Sequence, residues 1–92
     1  MPTYAHRQLA GKKVFTQDGT DIGDIEGLDI DTDTWTVVAL EVKLERKVLE
    51  RLNMEKPVFG SPSVKLSVER VAGVTEAVVL DVAFADLRFI DG

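Results

Sequence analysis

The 92-residue sequence contains no cysteine and only one histidine. Without cysteine the chain can form no disulfide framework, no thiolate zinc site and no cysteine nucleophile. The histidine, His6, has neither a cysteine nor a Gly-x-Ser-x-Gly serine to activate, so we assign it no catalytic role. We therefore expect no enzymatic activity and no metal or other cofactor.

Long apolar runs and an excess of basic residues are also missing. No stretch approaches the roughly 18 apolar residues of a membrane-spanning helix, and the N-terminus lacks the apolar segment of a secretory signal. Sixteen acidic residues against eleven basic ones give a net charge of −5 at pH 7, which repels phosphate backbones. We expect a soluble, cytoplasmic protein without direct nucleic-acid binding or membrane insertion.

What the chain does contain is an ordinary globular composition, with 45% apolar and 29% charged residues. That balance predicts folding rather than disorder. A chain of this size buries only roughly 60% of its unfolded surface, so an oligomeric interface would add stability. We expect a flexible lead-in over residues 1–8, a single domain over residues 9–92, and a dimer.

The first half of the domain has the pattern of a bent β-hairpin. β-Prone residues at 12–16 and 21–31 predict two antiparallel strands joined at Asp18-Gly19, a favoured two-residue turn. The apolar alternation of the second strand slips twice, near Gly23 and Gly27. Glycine inside a strand commonly marks a bulge or bend of the kind that curls a sheet into a small barrel, so we interpret this segment as a bent strand rather than a helix.

A third strand is predicted over residues 35–43. Val38, Leu40 and Val42 share one face, and their alternation with the other positions predicts that this face packs on the core. Trp35 begins the strand and has two interpretations: it fills the core, or it anchors an interface, where tryptophan is enriched. Both alternatives stay open.

The period of the apolar residues changes after the third strand. Helical spacing, with charged residues on the opposite face, predicts an amphipathic helix of about three turns over residues 44–53. Asn53 and Pro57 suit the end of a helix. We expect the apolar stripe to cover one end of a barrel, with partner binding as the alternative. The stripe consists of Leu44, Val48, Leu49 and Leu52.

Two more strands follow, a fourth over residues 64–68 and a fifth over residues 77–82, with a connection at 70–75. Residues 84–90 form either a short closing helix, which we prefer, or an edge strand. This apolar segment must pack on its own barrel or across a dimer interface. The candidate residues of a partner or dimer interface are Trp35, Phe84, Leu87, Phe89 and Ile90.

Alternating carboxylates at Asp29, Asp31 and Asp33 imitate the beginning of a calcium-binding loop. Counting from Asp29, the sixth residue is Thr34 instead of glycine and the twelfth is Leu40 instead of glutamate. We interpret these carboxylates as solvent-facing turn residues and predict no metal site.

Two sets of motifs carry a resemblance to a known family. The first set consists of Leu9-Ala10-Gly11-Lys12-Lys13-Val14, Asp18-Gly19, Ile22-Gly23, Ile25, Asp29-Ile30-Asp31 and the strand from Trp35 to Val42. The second set consists of Val64-Lys65-Leu66, Val68, Val71, Gly73 and Val78-Val79-Leu80-Asp81-Val82. In this order, the motifs resemble the PRC-barrel domain family in its archaeal stand-alone form.

The resemblance implies a mainly β fold. The expected domain is a small PRC-type β-barrel of about five to six strands, with one interposed amphipathic helix and a short C-terminal helix or strand. Family members serve as docking modules in the photosynthetic reaction-centre H subunit, in the ribosome-maturation protein RimM and as stand-alone archaeal proteins. This sequence shows no reaction-centre membrane anchor and no RimM-like N-terminal domain, which disfavours those two roles.

Some stand-alone archaeal members belong to the cell-division machinery and bind SepF, the membrane-tethering partner of the tubulin-like FtsZ. The resemblance therefore implies a non-enzymatic adaptor that binds SepF, another PRC-barrel protein, or both. It further implies a homodimer, or a heterodimer with a related PRC-barrel protein, in the cytoplasm and recruited to the division site. The alternative is a RimM-like ribosome-maturation or RNA-processing factor that binds a ribosomal protein.

Overall fold

The structure is a computed structural model and describes residues 3–52 and 62–90. The strands within these ranges are β1 Lys13–Phe15, β2 Asp21–Asp31, β3 Thr36–Leu44, β4 Ser63–Ser67, β5 Val71–Val74 and β6 Val78–Leu80. The helices are α1 His6–Leu9 and α2 Arg46–Arg51, and 3₁₀ turns cover Val68–Arg70 and Phe84–Asp86. Helix α1 extends across the predicted boundary between lead-in and domain, and that boundary stays a prediction.

The strands form one mixed sheet of six strands in the order β4-β3-β2-β1-β6-β5. Strands β4 and β5 lie at opposite edges, yet only the turn Val68–Arg70 separates them in sequence. Four Cα steps span at most ~15 Å, whereas the edges of a flat sheet of this size lie ~24 Å apart. The sheet must therefore curl into a barrel-like form, in which no ladder pairs the edge strands β4 and β5 with each other. The mainly β, barrel-like fold predicted from the sequence is thus confirmed.

The predicted opening hairpin is confirmed. Strand β1 pairs with β2 in antiparallel orientation, and the register shifts between Val14 and Phe15. A second shift, in the pairing of β2 with β3, lies between Ile25 and Gly27. Val14 is paired with Gly23, so both glycines stand beside irregular pairing of the kind that bends a strand.

Helix α2 is shorter than predicted. Leu44 is the last residue of β3 and pairs with Gly23, so it does not begin the helix. The amide of Glu45 then donates a hydrogen bond to the carbonyl of Ile22, with an N···O distance of 2.9 Å, which keeps the chain extended to this point. Periodicity missed this boundary because a buried leucine fits either element. The predicted helix end at Asn53 lies outside the described residues.

The predicted core face of the third strand is wrong at one position. Val38 is 44% exposed, and its neighbour Ala39 is buried instead. The β2–β3 ladder pairs Asp29 with Ala39 and then Ile30 with Val37, so it skips Val38. The alternation reverses at this bulge.

The C-terminal half contains one strand that was predicted as a connection. Residues 71–74 form β5, which pairs with β6, because a short edge strand containing alanine and glycine has little β-signal of its own. The terminal segment combines both predicted alternatives: it begins with the 3₁₀ turn Phe84–Asp86 and ends at Ile90, which forms an isolated antiparallel bridge with Lys65.

The core lies inside the curl of the sheet. Helix α2 buries Val48 and Leu49 beside the end of β3, so its apolar stripe covers one end of the barrel as predicted. The buried cluster consists of Val14, Ile22, Ile25, Leu40, Val42, Leu44, Leu49, Leu66, Val78, Leu80 and Leu87.

Candidate docking surface

The hairpin that joins β2 and β3 extends beyond the core. These strands contain 11 and 9 residues, whereas β1 and β6 contain three each. The last two residues of β2 and the first three of β3 are exposed. The hairpin tip is therefore a solvent-exposed extension of a packed sheet.

Four large apolar side chains lie exposed on this extension. We call Ile30, Trp35, Val37 and Val38 the hairpin patch; their exposed fractions are 52%, 77%, 37% and 44%. Ile30 and Val37 are paired across the two strands, and Val38 is the residue that the ladder skips. Contiguous exposed apolar side chains are typical of interaction sites.

The backbone presents Trp35 at an energetic cost. Its φ is 56°, and among the described residues other than glycine it alone has a positive φ. The left-handed conformation costs an L-residue about 1–2 kcal/mol and is a genuine outlier for a bulky side chain. Next to it, the amide of Asp33 donates to the Asp31 carboxylate at 2.9 Å. The turn therefore holds an indole in solvent on a strained backbone, an arrangement that is typical of functional sites.

Carboxylates lie on the same hairpin as the patch. Asp29 forms an ion pair with Lys65 at 3.0 Å. A hydrogen bond between the carboxyl groups of Asp29 and Glu41 raises the pKa of Glu41; the same bond, and then Lys65, lower the pKa of Asp29. Asp31 and Asp33 are exposed at the tip. The apolar patch thus has an acidic border.

An apolar cavity of about 150 Å³ adjoins the patch, and its lining includes no residue of α2. We call this cavity the end pocket. Val37 belongs to both the end pocket and the hairpin patch. The pocket has a buried floor of Ile25, Leu40 and Val78, and more exposed walls of Leu9, Leu28, Val37, Val68, Val71 and Val74.

The structure places the five predicted interface residues in different environments. Leu87 is buried in the core, and Phe84 and Phe89 pack against it. Ile90 is 44% exposed and Trp35 is 77% exposed, so neither of these fills the core. The terminal segment packs on its own barrel. An interface role for the five residues stays a prediction.

Sequence reasoning missed the other three members of the patch. Ile30 and Val37 become neighbours only through the β2–β3 register, and Val38 was assigned to the core. The end pocket left no local signal, because its walls come from strands that are distant in sequence.

A charged cluster lies at the opposite end of β2. Lys13 Nζ is 2.9 Å from Glu45, 3.0 Å from Asp24 and 3.7 Å from Asp21. The hydrogen bond to Glu45, followed by that to Asp24, holds the pKa of Lys13 above its usual range. This cluster joins β1, β2 and the residue before α2, so a structural role accounts for it.

A metal-ligand cluster and a membrane-spanning helix are both absent from the part of the chain that the structure describes. No three histidine, aspartate or glutamate side chains there are grouped to hold a metal ion. None of the helices in residues 3–52 and 62–90 has the length and apolar character needed to cross a membrane.

The curled mixed sheet, its interposed helix and its exposed apolar hairpin define a small barrel-like β-domain. The sequence matches the PRC-barrel domain family over residues 1–82, and the chain belongs to this family. PRC-barrel domains generally mediate protein interactions and are a non-catalytic family.

Comparison with known proteins finds relatives among the solved structures. No curated protein matches the sequence. Among solved structures, the chain is similar to a protein of Pseudomonas aeruginosa described as the 16S ribosomal RNA processing protein RimM, with a TM-score of 0.57 and 20% identity. The alignment covers 95% of this chain and 48% of that one, so the chain spans about half the length of that protein. This likeness shows a shared fold.

Proposed function

We propose that the protein is a non-enzymatic adaptor that binds another protein through the hairpin patch. The observation that carries this proposal is Trp35, a 77% exposed indole on a backbone with a φ of 56°. Tryptophans that become buried in a complex are typical anchors of protein interfaces. Residues in a strained backbone conformation are found preferentially at functional sites. Membership of a family whose domains generally mediate protein interactions supports the same function.

The hairpin patch supplies the contact area and its border supplies orientation. Burial of Ile30, Trp35 and Val38 removes exposed apolar surface from water, which favours association. Asp31 and Asp33 border this surface and favour a partner with basic residues around an apolar site. Such charges affect the encounter rate and register more than the affinity.

For the partner, we propose SepF of the FtsZ-based division machinery, another PRC-barrel protein, or both. The support is the resemblance to the archaeal stand-alone PRC-barrel proteins in the order of strands and in the helix after the third strand. In this proposal the protein works in the cytoplasm of an archaeal cell and is recruited to the division site.

The fold likeness to RimM favours a second candidate function. That protein is described as processing 16S ribosomal RNA, and its similarity to this chain extends over 95% of the residues here. A RimM-like factor would bind a basic ribosomal protein, for which the acidic border of the hairpin patch is suited.

A capture experiment separates the two candidates. Tagged wild-type protein, Trp35→Ala and Val79→Ala are each used to capture proteins from native cytoplasm. Val79 is a matched control because it is apolar, 38% exposed and located on β6, outside the hairpin patch. Captured SepF or PRC-barrel protein, retained by Val79→Ala and lost with Trp35→Ala, supports the first candidate.

Other outcomes of this capture are equally decisive. Ribosomal proteins alone would reject the division role and support the RimM-like function. Capture that is unaffected by Trp35→Ala would reject the hairpin patch as the docking surface. Titration of purified SepF, followed by the fluorescence of the single tryptophan, then measures the affinity directly.

A further inference from the structure

The chain carries both an exposed aromatic side chain, Trp35, and an apolar cavity large enough for an aromatic ring. We propose that two copies form a two-fold dimer in which Trp35 of each copy occupies the end pocket of the other. The inference rests on the proposed function in one respect, since it uses the hairpin patch as a binding surface, and it names the partner as a second copy of this chain.

The size of the end pocket fits one aromatic ring. Its volume is about 150 Å³ and every lining residue is hydrophobic. Engineered apolar cavities of roughly this volume stay dry and bind benzene. Among the described aromatic side chains, Trp35 is the most exposed, whereas Phe15, Phe84 and Phe89 are half-buried on their own barrel. Tyr4 is 40% exposed and its hydroxyl donates to the carbonyl of Val74, so it lies beside its own end pocket. Of the described rings, Trp35 is thus the one that extends furthest into solvent towards a second copy.

The positions of anchor and receptor suit a two-fold arrangement. Val37 lines the end pocket and lies two residues after Trp35, so the two features share one surface. When an anchor lies beside its own receptor, a two-fold axis between them places each anchor over the receptor of the other copy. Both insertions then form together, and no unpaired site remains to extend the assembly.

Charge complementarity favours a second copy over an acidic partner. Arg7 is exposed on α1, the helix that contributes a wall of the end pocket. Lys12 donates a hydrogen bond from Nζ to the carbonyl of Thr75, directly after β5, at 2.7 Å. Asp31 and Asp33 accompany Trp35 at the tip. The elements around the pocket also carry the exposed Glu69 and Glu76. Pairing of Asp31 and Asp33 with Arg7 and Lys12 therefore offsets part of the repulsion between two chains of net charge −5.

The test measures self-association by sedimentation for four purified proteins: wild type, Trp35→Ala, Val74→Phe and Val79→Ala. Val74→Phe fills the end pocket with a ring of its own chain and leaves Trp35 intact. We expect dimers for the wild type and Val79→Ala, and dimerisation weakened about thirtyfold or more for the other two. Tryptophan emission of the wild type should shift to the blue as concentration increases, because the single indole leaves water.

Mixing the two defective variants gives the sharpest result. Trp35→Ala retains an intact pocket and Val74→Phe retains an intact anchor, so their mixture should form a heterodimer with one insertion. Circular dichroism checks that both variants fold. If Val74→Phe does not, Val68→Phe fills the same pocket from the turn after β4.

Three results would overturn the inference: a wild type that stays monomeric at all concentrations, a dimer that survives both substitutions, or a mixture that does not associate. A monomeric wild type that still captures a partner through Trp35 would overturn only this inference and leave the adaptor function in place. The converse result is that the wild type dimerises as expected but Trp35→Ala captures partners as well as the wild type does. That result would support this inference and would reject the hairpin patch as the docking surface of the adaptor.

Discussion

A Cβ atom on Gly23 would lie 2.0 Å from the carbonyl oxygen of Lys43. Gly23 pairs with Leu44 across the ladder between β2 and β3, and with Val14 of β1. Three strands thus approach each other at a position that has no room for a side chain. The bend of β2, and with it the curl of the sheet, depends on glycine here.

Gly23→Ala should lower the free energy of unfolding by about 3 kcal/mol, since backbone must move to admit the methyl group. The matched control is Gly27→Ala in the same strand, where a Cβ would be 3.5 Å from the flexible Glu41 carboxylate, an ordinary contact. Urea denaturation of both variants checks the difference. Equal effects of the two substitutions would show that close approach at Gly23 is not what constrains it.

Trp35→Asn should raise the free energy of unfolding by about 1 kcal/mol, because asparagine adopts the left-handed conformation at lower cost. Trp35→Phe is the matched control and should give no gain, since another bulky aromatic keeps the strain. Both are compared with the wild type by urea denaturation at concentrations low enough to keep every protein monomeric. A clear loss of stability in Trp35→Asn would mean that the indole packs on its own chain.

Leu87→Ala should cost about 3 kcal/mol, because Leu87 is 7% exposed and belongs to the core. Ile90→Ala, three residues later, should cost less than about 1 kcal/mol, because the side chain is 44% exposed. Thermal unfolding measures both. A large effect of Ile90→Ala in the monomer would indicate that the end of the segment packs more tightly than its exposure indicates.

Glu41→Gln should stabilise the protein at neutral pH and have little effect near pH 4. The raised pKa of Glu41 means that the folded state favours the protonated carboxyl group. The resulting contribution to stability is fully present below the ordinary pKa of 4.5 and is lost as pH rises through the raised pKa. Glutamine keeps a donor for Asp29 without the charge. The lowered pKa of Asp29 acts in the opposite direction, stabilising above 3.8 and losing its effect as pH falls.

Glu76→Gln is the charge-matched control for Glu41→Gln, because Glu76 is exposed in the bend between β5 and β6. Urea denaturation at the two pH values compares the variants. A gain from Glu41→Gln that is no larger than that from Glu76→Gln would attribute the effect to net charge and not to the Asp29 pair.

Local patterns in the sequence were sufficient for much of the fold. The Asp18-Gly19 step and the β-prone segments on either side predicted the opening hairpin, and Gly23 and Gly27 predicted its bend. The amphipathic pattern around Val48 and Leu49 predicted a helix that covers the barrel end. These features were accessible because turn conformation, strand alternation and helical period depend on residues close together in the chain.

The candidate site depended on contacts between distant segments. Strand alternation assigned Val38 to the core, but the register between β2 and β3 skips it and leaves it in solvent. The sequence left two roles open for Trp35, filling the core or anchoring an interface. The β2–β3 hairpin extends beyond the core, and Trp35 therefore lies in solvent.

The sequence alone established the β-rich class, the family resemblance, the hairpin and the covering helix, because each rests on short-range chemistry. Tertiary structure established the hairpin patch and the end pocket. The pocket exists because a short turn carries the chain from one sheet edge to the other and brings the valines of β5 opposite Val37 of β3. No local sequence pattern predicts that β5 approaches Val37, because this contact depends on where the sheet curls.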